Sequence, residues 1–277
     1  MSERIEPFSV LISVYYKEKA EYLELALNSI FNQTLLPNEV VLVKDGELTK
    51  ELENVITKFQ NLFLETFKVI SIEKNSGLGN ALNVGIKECK NEYIARMDSD
   101  DSSNKDRFEK QMKFLSTHNN IDVLGCNIEE YDEQMKFKLR NKDVPEKNKD
   151  IKVYFKNRNP FNHPTVIFKK SSVEKAGGYS NCLFFEDYYL WAKLIKNGCQ
   201  FYNMQEYLYK FRTSNAMYKR RGGFKYCKYI INFEILIYKL NLINKFEFIN
   251  NITKRCIGAI IPNRLRKIIY ENRYRNK

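Results

Sequence analysis

The chain has 277 residues, of which 43% are hydrophobic, so it can bury a sizeable core and is not a disordered protein. Its apolar runs fall far short of the roughly 20 residues of a membrane-spanning helix, and no secretory signal is visible, which indicates a cytoplasmic protein. Residues 218–277 carry 15 Lys or Arg against three Asp or Glu and account for the whole net charge of +12, whereas a nucleic-acid-binding protein would spread its charge over the folded body.

The first hundred residues alternate between strand-like and helix-like patterns. Predicted strands lie at 8–16, 39–45, 67–73 and 92–98, and predicted helices lie at 20–33, 48–60 and 78–89. Strands that are separated by helices pair in parallel. The pattern therefore predicts an α/β fold, a Rossmann-like doubly wound and mostly parallel sheet with its binding crevice at the carboxyl ends of the strands.

The second half of the chain is less regular. We predict a helix at 104–117, a strand at 121–126, a β-excursion with a loop at 128–150, a loop and strand at 159–180, a helix at 184–198 and a final pair of strands at 199–211. Six cysteines are widely spaced, without a C-x-x-C pair, and only two histidines could complete a zinc site. We expect these cysteines to be reduced and mostly buried.

Beyond Arg212 the composition becomes basic and rich in tyrosine. Residues 224–241 form a broadly apolar predicted helix, and residues 254–277 place eight Lys or Arg against one Glu among isoleucines and a leucine. This composition is typical of a helix that lies on an anionic membrane surface without spanning it. The alternative is a helix that covers the core and exposes a basic side to water.

Polar residues follow each of the four predicted strands and should therefore meet at one sheet edge. They are Tyr15 and Tyr16, Asp45 and Gly46, Asn75 to Gly77, and Asp98 to Asp101. The run Asp98-Ser99-Asp100-Asp101 concentrates carboxylates, whose repulsion a divalent cation relieves, and such oxygen ligands suit Mg²⁺ or Mn²⁺. A solvated acidic turn that caps the next helix is the alternative.

Six segments in order resemble the family-two inverting glycosyltransferases, particularly those that build bacterial capsule, exopolysaccharide and lipopolysaccharide chains. The segments are SVLISVYY, VVLVKDG, EKNSGLGNALNVGI, ARMDSDD, NHPTVIFKKS and FFEDYYLW. The resemblance covers about residues 8–212. It implies a GT-A fold, with a catalytic domain at 1–217, while the composition predicts a basic amphipathic helical tail at 218–277. Within the domain, 1–103 would bind the nucleotide sugar, and 104–217, with a smaller β element, would bind the acceptor.

The resemblance implies transfer of one sugar from a nucleotide-sugar donor, most often UDP-linked, to a hydroxyl of a glycan or lipid-linked glycan acceptor. The D-x-D motif of the family falls on Asp98 and Asp100. Asp100 is the predicted direct ligand of Mn²⁺ or Mg²⁺, Asp98 a nucleotide or water-mediated contact, and Asp101 a supporting residue. Asp187 is the predicted general base, with Glu186 as the fallback. Simple capping of the helix that they open is the alternative for these two.

The same resemblance suggests roles around the donor. Tyr15 or Tyr16 would stack on the base, and Asp45 would accept a ring N–H; core aromatics and a turn aspartate are the alternatives. Asn75 and Gly77 lie where the backbone would approach the ribose or diphosphate. His163 would shape the active site, although a lone histidine is more often a structural hydrogen-bonding residue.

The chain departs from the family pattern in three places. No proline precedes Tyr15, Lys44 stands before Asp45 where an acidic pair is common, and Q-x-x-R-W is absent after Glu186-Asp187. The last absence favours an enzyme that adds a single sugar. Two other functions remain open from the residues, a magnesium-dependent nucleotidyltransferase and, with less support, a basic nucleic-acid-binding protein. If the enzyme extends lipid-linked glycans, the tail would bring it to the inner face of the cytoplasmic membrane.

Overall fold

A computed structural model describes residues 5–214 and 222–261 of the chain. Over these residues nine strands form one sheet in the order β3-β2-β1-β4-β8-β6-β9-β5, and β7 pairs with β6 outside this path. The predicted α/β class is confirmed. Five of the six cysteines are buried and all are unpaired, as expected.

The first seven elements follow the predicted alternation. They are β1 (Phe8–Val14), α1 (Ala20–Phe31), β2 (Glu39–Asp45), α2 (Lys50–Leu62), β3 (Phe67–Ile72), α3 (Leu78–Glu88) and β4 (Tyr93–Met97). β1 pairs in parallel with both β2 and β4, and β2 pairs in parallel with β3. Val14 stands opposite Lys44, and Ile12 stands opposite Met97, so the carboxyl ends of β1, β2 and β4 lie at the same edge.

The next ten elements complete the sheet and its cover. They are β5 (Ser102–Ser103), α4 (Arg107–Thr117), β6 (Val123–Tyr131), β7 (Lys138–Lys142), α5 (Asn148–Phe155), a 3-10 turn (His163–Thr165), β8 (Ile167–Lys169), α6 (Lys170–Lys175), α7 (Glu186–Lys196) and β9 (Phe201–Arg212). β8 is antiparallel to both β4 and β6, whereas β6 and β9 run parallel. The parallel half of the sheet is thereby joined to a mixed half.

Three expectations about the second half were wrong. Residues 199–211 hold one strand, β9, because register shifts near Asn127 let a single strand bend along β6. Helix α5 begins inside the segment expected to be a loop, and only its Ile151 and Phe155 are buried, which is too short an apolar pattern to recognise. The short helix α6 buries only Val173 and was missed for the same reason.

Two hydrophobic clusters cover the two faces of the sheet. Alternate residues of β1 point to opposite sides, so Val10 and Ile12 join the cluster under α1, α2 and α4, while Leu11 joins the cluster under α3, α5 and α7. Both faces are therefore buried, as a parallel sheet with crossover helices requires.

The basic C-terminal segment contributes a helical hairpin to the second cluster. Helices α8 (Phe224–Lys239) and α9 (Lys245–Ile260) pack together, and a capping box between Asn244 and Glu247 begins α9. Phe233 of α8 is fully buried and stacks on Phe185 with ring centroids 4.5 Å apart.

This part of the predicted tail therefore covers the core. Residues 262–277, which hold most of the second basic stretch, lie outside the described residues. Among the helices at 5–214 and 222–261, none has the length and apolar character to cross a bilayer.

Candidate active site

Three carboxylates lie together where β4 ends. One carboxylate oxygen each from Asp98, Asp100 and Asp101 lies within 4.8 Å of the other two. The predicted acidic cluster is thus present as a compact group with the spacing that a metal ion requires. Oxygen ligands of this kind fit Mg²⁺ or Mn²⁺.

Burial makes this cluster electrostatically strained. Burial, with repulsion from Asp98 and Glu18, raises the pKa of Asp100 to about 7. Burial and the neighbouring carboxylates Asp100 and Asp98 also hold the pKa of Asp101 well above its ordinary value. The Tyr209 hydroxyl lies beside Asp101. Even so, no described group donates a well-aligned hydrogen bond to Oδ2 of Asp101. An unsatisfied oxygen among repelling carboxylates is what a divalent cation would complete.

Two arginines and a glutamate complete the cluster, and none of them was predicted from the sequence. Arg96, buried in β4, forms an ion pair with Asp98. At the end of β9 the backbone N–H of Arg212 donates to Asp101 Oδ1 at 2.7 Å, and its Nε donates to the Asp100 carbonyl. Glu18 accepts a hydrogen bond from Ser99 Oγ at 2.8 Å. Burial raises the pKa of Glu18.

Arg96 alone carried a local signal, because it is a charged residue inside an otherwise apolar strand. Glu18 and Arg212 reach the cluster from about 80 and 110 positions away in the chain, and no local pattern marks them. The Arg212 guanidinium also lies 3.6 Å from the centre of the Tyr22 ring, which fixes it over α1.

Asp45 lies at the end of β2 and holds the loop that leads into α3. Its Oδ1 accepts from Ser76 N at 2.7 Å and from Ser76 Oγ at 3.0 Å, while its Oδ2 accepts from Asn75 Nδ2 and from Gly77 N, both at 3.0 Å. All four acceptor positions of the carboxylate are therefore in use. The predicted neighbours Asp45, Asn75 and Gly77 are brought together, with Asp45 organising the loop.

Glycines make this loop possible. Gly46 has φ +90°, and a Cβ there would stand 2.8 Å from the backbone nitrogen of Asn75. Gly77 has φ +87° and precedes α3, with open space where a side chain would extend. Tyr15 and Tyr16 follow β1 at the same edge, with ring centroids 5.8 Å apart, and Tyr16 is half exposed. Tyr16 therefore presents a half-exposed ring at the predicted position, with Lys17 Nζ 5.3 Å from the ring centre.

Glu186 and Asp187 begin α7, as predicted. The Asp187 carboxylate accepts from Asn159 Nδ2 at 2.6 Å and from the backbone N–H of Tyr188 at 2.7 Å. Burial, with repulsion from Asp187, raises the pKa of Glu186. A Cβ on Gly79, in the first turn of α3, would lie 3.3 Å from Glu186 Cγ, so the beginnings of α3 and α7 are adjacent.

His163 lies between the acidic cluster and α7. Its Nε2 is hydrogen-bonded to the Tyr179 hydroxyl at 2.8 Å. Burial and the charge of Arg96 hold the pKa of His163 well below its ordinary value, so the imidazole is neutral. The electrostatic neighbours of Tyr179 include Asp98 and Asp187. Tyr179, which is hydrogen-bonded to His163, therefore lies within electrostatic range of both groups of carboxylates.

Comparisons with known proteins give one consistent answer. The model of glycosyl transferase family 2 matches residues 9–176. A UDP-Gal:alpha-D-GlcNAc-diphosphoundecaprenol beta-1,3-galactosyltransferase from Escherichia coli is 39% identical over 271 residues, which cover 98% of each chain. The amylovoran biosynthesis glycosyltransferase AmsE of Erwinia amylovora is 38% identical over 95% of this chain and 98% of its own length.

The fold is also shared with solved structures. S. aureus TarS, in a crystal structure with UDP-GlcNAc, superposes with a TM-score of 0.67 over 92% of this chain and 73% of that chain. The two sequences are 19% identical, so this likeness concerns the fold alone. It confirms the predicted GT-A class.

Replacing Asp45 with Asn tests its role as organiser of the loop. The amide keeps one acceptor but points an N–H₂ group at donors that are now unsatisfied, so we expect a loss of about 1–3 kcal/mol in the free energy of unfolding. Urea denaturation measures this change. Asp106→Asn, which removes a surface partner of Lys110, is the matched control and should stay within about 0.5 kcal/mol of the parent. Unchanged stability with lost donor binding would instead assign Asp45 to the donor.

Proposed function

Because the chain belongs to glycosyl transferase family 2, we propose that it is an inverting enzyme that moves one hexose or N-acetylhexosamine from a UDP-sugar to a hydroxyl of a lipid-linked glycan. The chain is a glycosyltransferase of the kind that builds bacterial polysaccharides. This membership replaces the nucleotidyltransferase and nucleic-acid-binding alternatives. The observation that carries the proposal is the metal-capable carboxylate cluster at the end of β4, with Tyr179 within electrostatic range of both Asp98 and Asp187.

The choice of donor and acceptor rests on the E. coli relative. Its name specifies a UDP-galactose donor and a GlcNAc-diphosphoundecaprenol acceptor, and the alignment covers almost the full length of both proteins. An identity of 39% supports the same class of reaction in this chain but does not specify the particular sugar. We therefore propose a UDP-hexose or UDP-N-acetylhexosamine donor and an acceptor carried on a lipid diphosphate.

Asp100 and Asp98 would hold the divalent ion, with Asp101 in support. When bound, Mn²⁺ or Mg²⁺ would neutralise the diphosphate of the leaving nucleotide. The protein residues prepare this site: Arg96 holds Asp98, and Arg212 holds the backbone of Asp100 and the carboxylate of Asp101. The two arginines thus set the geometry of the carboxylates.

Asp187 would act as the general base. It lies in the first turn of α7, where the helix dipole favours a negative charge, and the hydrogen bonds from Asn159 and the Tyr188 N–H also favour the ionised form. An ionised carboxylate can accept the proton of the acceptor hydroxyl. A single displacement from the face opposite the departing nucleotide gives inversion at the anomeric carbon. Glu186 remains the fallback base; burial, with repulsion from Asp187, raises its pKa.

The Asp187→Asn variant tests the base. Asn keeps the size of the side chain and one of its two hydrogen-bond acceptors but cannot accept the proton, so transfer should fall by about 10² to 10⁴-fold. Donor binding should remain near that of the parent, as measured by isothermal titration calorimetry with the UDP-sugar. Glu186→Gln is the matched control and should retain most of the transfer rate. Loss of donor binding in Asp187→Asn would refute the assignment, as would a larger loss of transfer in Glu186→Gln.

Asp100→Asn tests the metal site. Removing one ligand from a three-carboxylate cluster should weaken Mn²⁺ binding by at least tenfold, because the charge and one oxygen ligand are lost together. The rise in thermal midpoint with added Mn²⁺ measures this binding without any sugar transfer. Asp122→Asn is a control outside the cluster and should respond to Mn²⁺ like the parent. A parent protein whose midpoint does not respond to Mn²⁺ or Mg²⁺ would rule out the site.

We also propose that the protein works at an anionic membrane surface. A lipid-linked acceptor resides there, and residues 262–277 carry six Lys or Arg against one Glu. The α8–α9 hairpin, which precedes this basic segment in the chain, has exposed apolar side chains, among them Phe224, Phe246 and Ile257. Basic and apolar groups together bind the headgroup region of anionic bilayers.

Removing residues 262–277 tests this proposal while keeping the hairpin that covers the core. Sedimentation with vesicles that contain anionic lipid should show at least a tenfold loss of bound protein, and a water-soluble acceptor analogue should still be glycosylated. Vesicles of neutral lipid are the control, since the parent should bind them weakly. Unchanged binding of the shortened protein to anionic vesicles would refute a membrane role for this segment.

A further inference from the structure

The C-terminal end of α5 is held by side chains from distant parts of the chain. The carbonyl of Phe155 accepts a hydrogen bond from the Tyr188 hydroxyl, and that of Lys156 accepts from Asn251 Nδ2 at 2.7 Å. The carbonyl of Asn157 accepts from Arg255 Nη2 at 3.0 Å. Carbonyls at the end of a helix lack partners within the helix, and the dipole there favours a cation. Arg255 therefore occupies a position where its charge is stabilised.

Arg255 is itself held in place within the hairpin. Its Nε lies 3.1 Å from Oε1 of Glu234, a fully buried side chain of α8, in an ion pair rather than a well-aligned hydrogen bond. The other oxygen of Glu234 accepts from Asn251 at 3.2 Å. Contacts within the hairpin thus hold the guanidinium in the orientation in which it contacts the catalytic domain.

These contacts lie on both sides of Asp187. Arg255 Nη2 also donates to the Tyr188 hydroxyl at 3.0 Å, and Tyr188 follows Asp187 in the chain. Two residues beyond Asn157 is Asn159, whose amide donates to Asp187 Oδ2 at 2.6 Å. One guanidinium therefore fixes both the segment that supplies the hydrogen-bond donor of Asp187 and the helix residue next to Asp187.

We propose that Arg255 is a positioning residue for sugar transfer, which orients Asp187 through Asn157–Asn159 and Tyr188. This inference rests on the proposed role of Asp187 as general base. A buried ion pair is a weak source of stability, because apolar residues of similar size often serve the fold equally well. The hairpin already packs through Ile230 and Phe233. The polar contacts of Arg255 are therefore better explained by the geometry that they impose on Asp187.

Arg255→Lys tests the proposal without removing the charge. Lysine cannot contact Asn157, Tyr188 and Glu234 in the geometry of the guanidinium. A displacement of about 1 Å at a reacting group can cost about 10²-fold in rate, so we expect kcat to fall by about tenfold or more. The KM for the donor and its dissociation constant should change less than twofold. Lys254→Arg, at an exposed neighbouring position of α9, is the matched control and should behave like the parent.

A double-mutant cycle separates positioning from a merely structural role. Asn159→Ala removes the contact to Asp187 through which part of the effect must pass. If Arg255 acts on Asp187, adding Arg255→Lys to Asn159→Ala should lower kcat by much less than it does in the parent. Fully additive losses would overturn the proposal. So would a loss of kcat that disappears at temperatures well below the thermal midpoint of the variant.

Two further variants keep each outcome interpretable. If Arg255→Lys does not fold, Tyr188→Phe removes only the hydroxyl that links Arg255 to α5 and should lower kcat in the same way; an unchanged kcat would overturn the proposal. Asp187→Asn is measured beside them. If it keeps its transfer rate, the proposed base is wrong. If it loses transfer while Arg255→Lys keeps the parental kcat, the role of Arg255 alone is wrong.

Discussion

Four carboxylates converge at the carboxyl end of β4, and the surrounding structure must compensate their charge. Glu18, Asp98, Asp100 and Asp101 interact strongly enough that burial and mutual repulsion raise the pKa of Asp100 to about 7. On the protein side the compensation comes from Arg96, and from Arg212 across the sheet. The position of β9 at this edge therefore also organises the acidic run, because Arg212, the last residue of β9, holds the backbone of Asp100 and the carboxylate of Asp101. A site of this kind is stable enough to fold and still attractive to a divalent cation.

The basic C-terminal segment has two parts that its composition alone does not distinguish. Its described part, the hairpin of α8 and α9, buries Phe233 and Ile237 in the core cluster beneath α7 and supplies Arg255 and Asn251 to the end of α5. Residues 262–277 add six Lys or Arg against one Glu beyond this hairpin. The proposed boundary at 217/218 thus marks a change in composition. Residues on both sides of it belong to the same hydrophobic core.

Local patterns were sufficient for the parts of the fold that repeat. Alternation of apolar strands and amphipathic helices predicted β1 to β4 and their parallel pairing, and the acidic run after β4 predicted the carboxylate cluster. Features that depend on long-range contacts could not be predicted from the sequence. The bend that keeps β9 a single strand depends on its partner β6, and Arg212 gains its role only when β9 reaches Asp101. Asp45 was predicted to be a site residue, but the hydrogen bonds that it accepts from the loop at 75–77 appear only in the folded geometry.

His163 and Tyr179 form a hydrogen-bonded pair, and Tyr179 lies within electrostatic range of both Asp98 and Asp187. A protonated His163 would lie beside Arg96, and burial adds to this penalty, so the pKa of the imidazole is held low and the ring stays uncharged. Burial likewise raises the pKa of Tyr179, which keeps its hydroxyl protonated. Both groups hydrogen-bond without adding charge between Asp98 and Asp187. On α7 the Asp187 carboxylate accepts hydrogen bonds from Asn159 and from the Tyr188 N–H and lies at the beginning of the helix, where the dipole favours a negative charge. The placement of α5 and α7 therefore determines the surroundings of the proposed base.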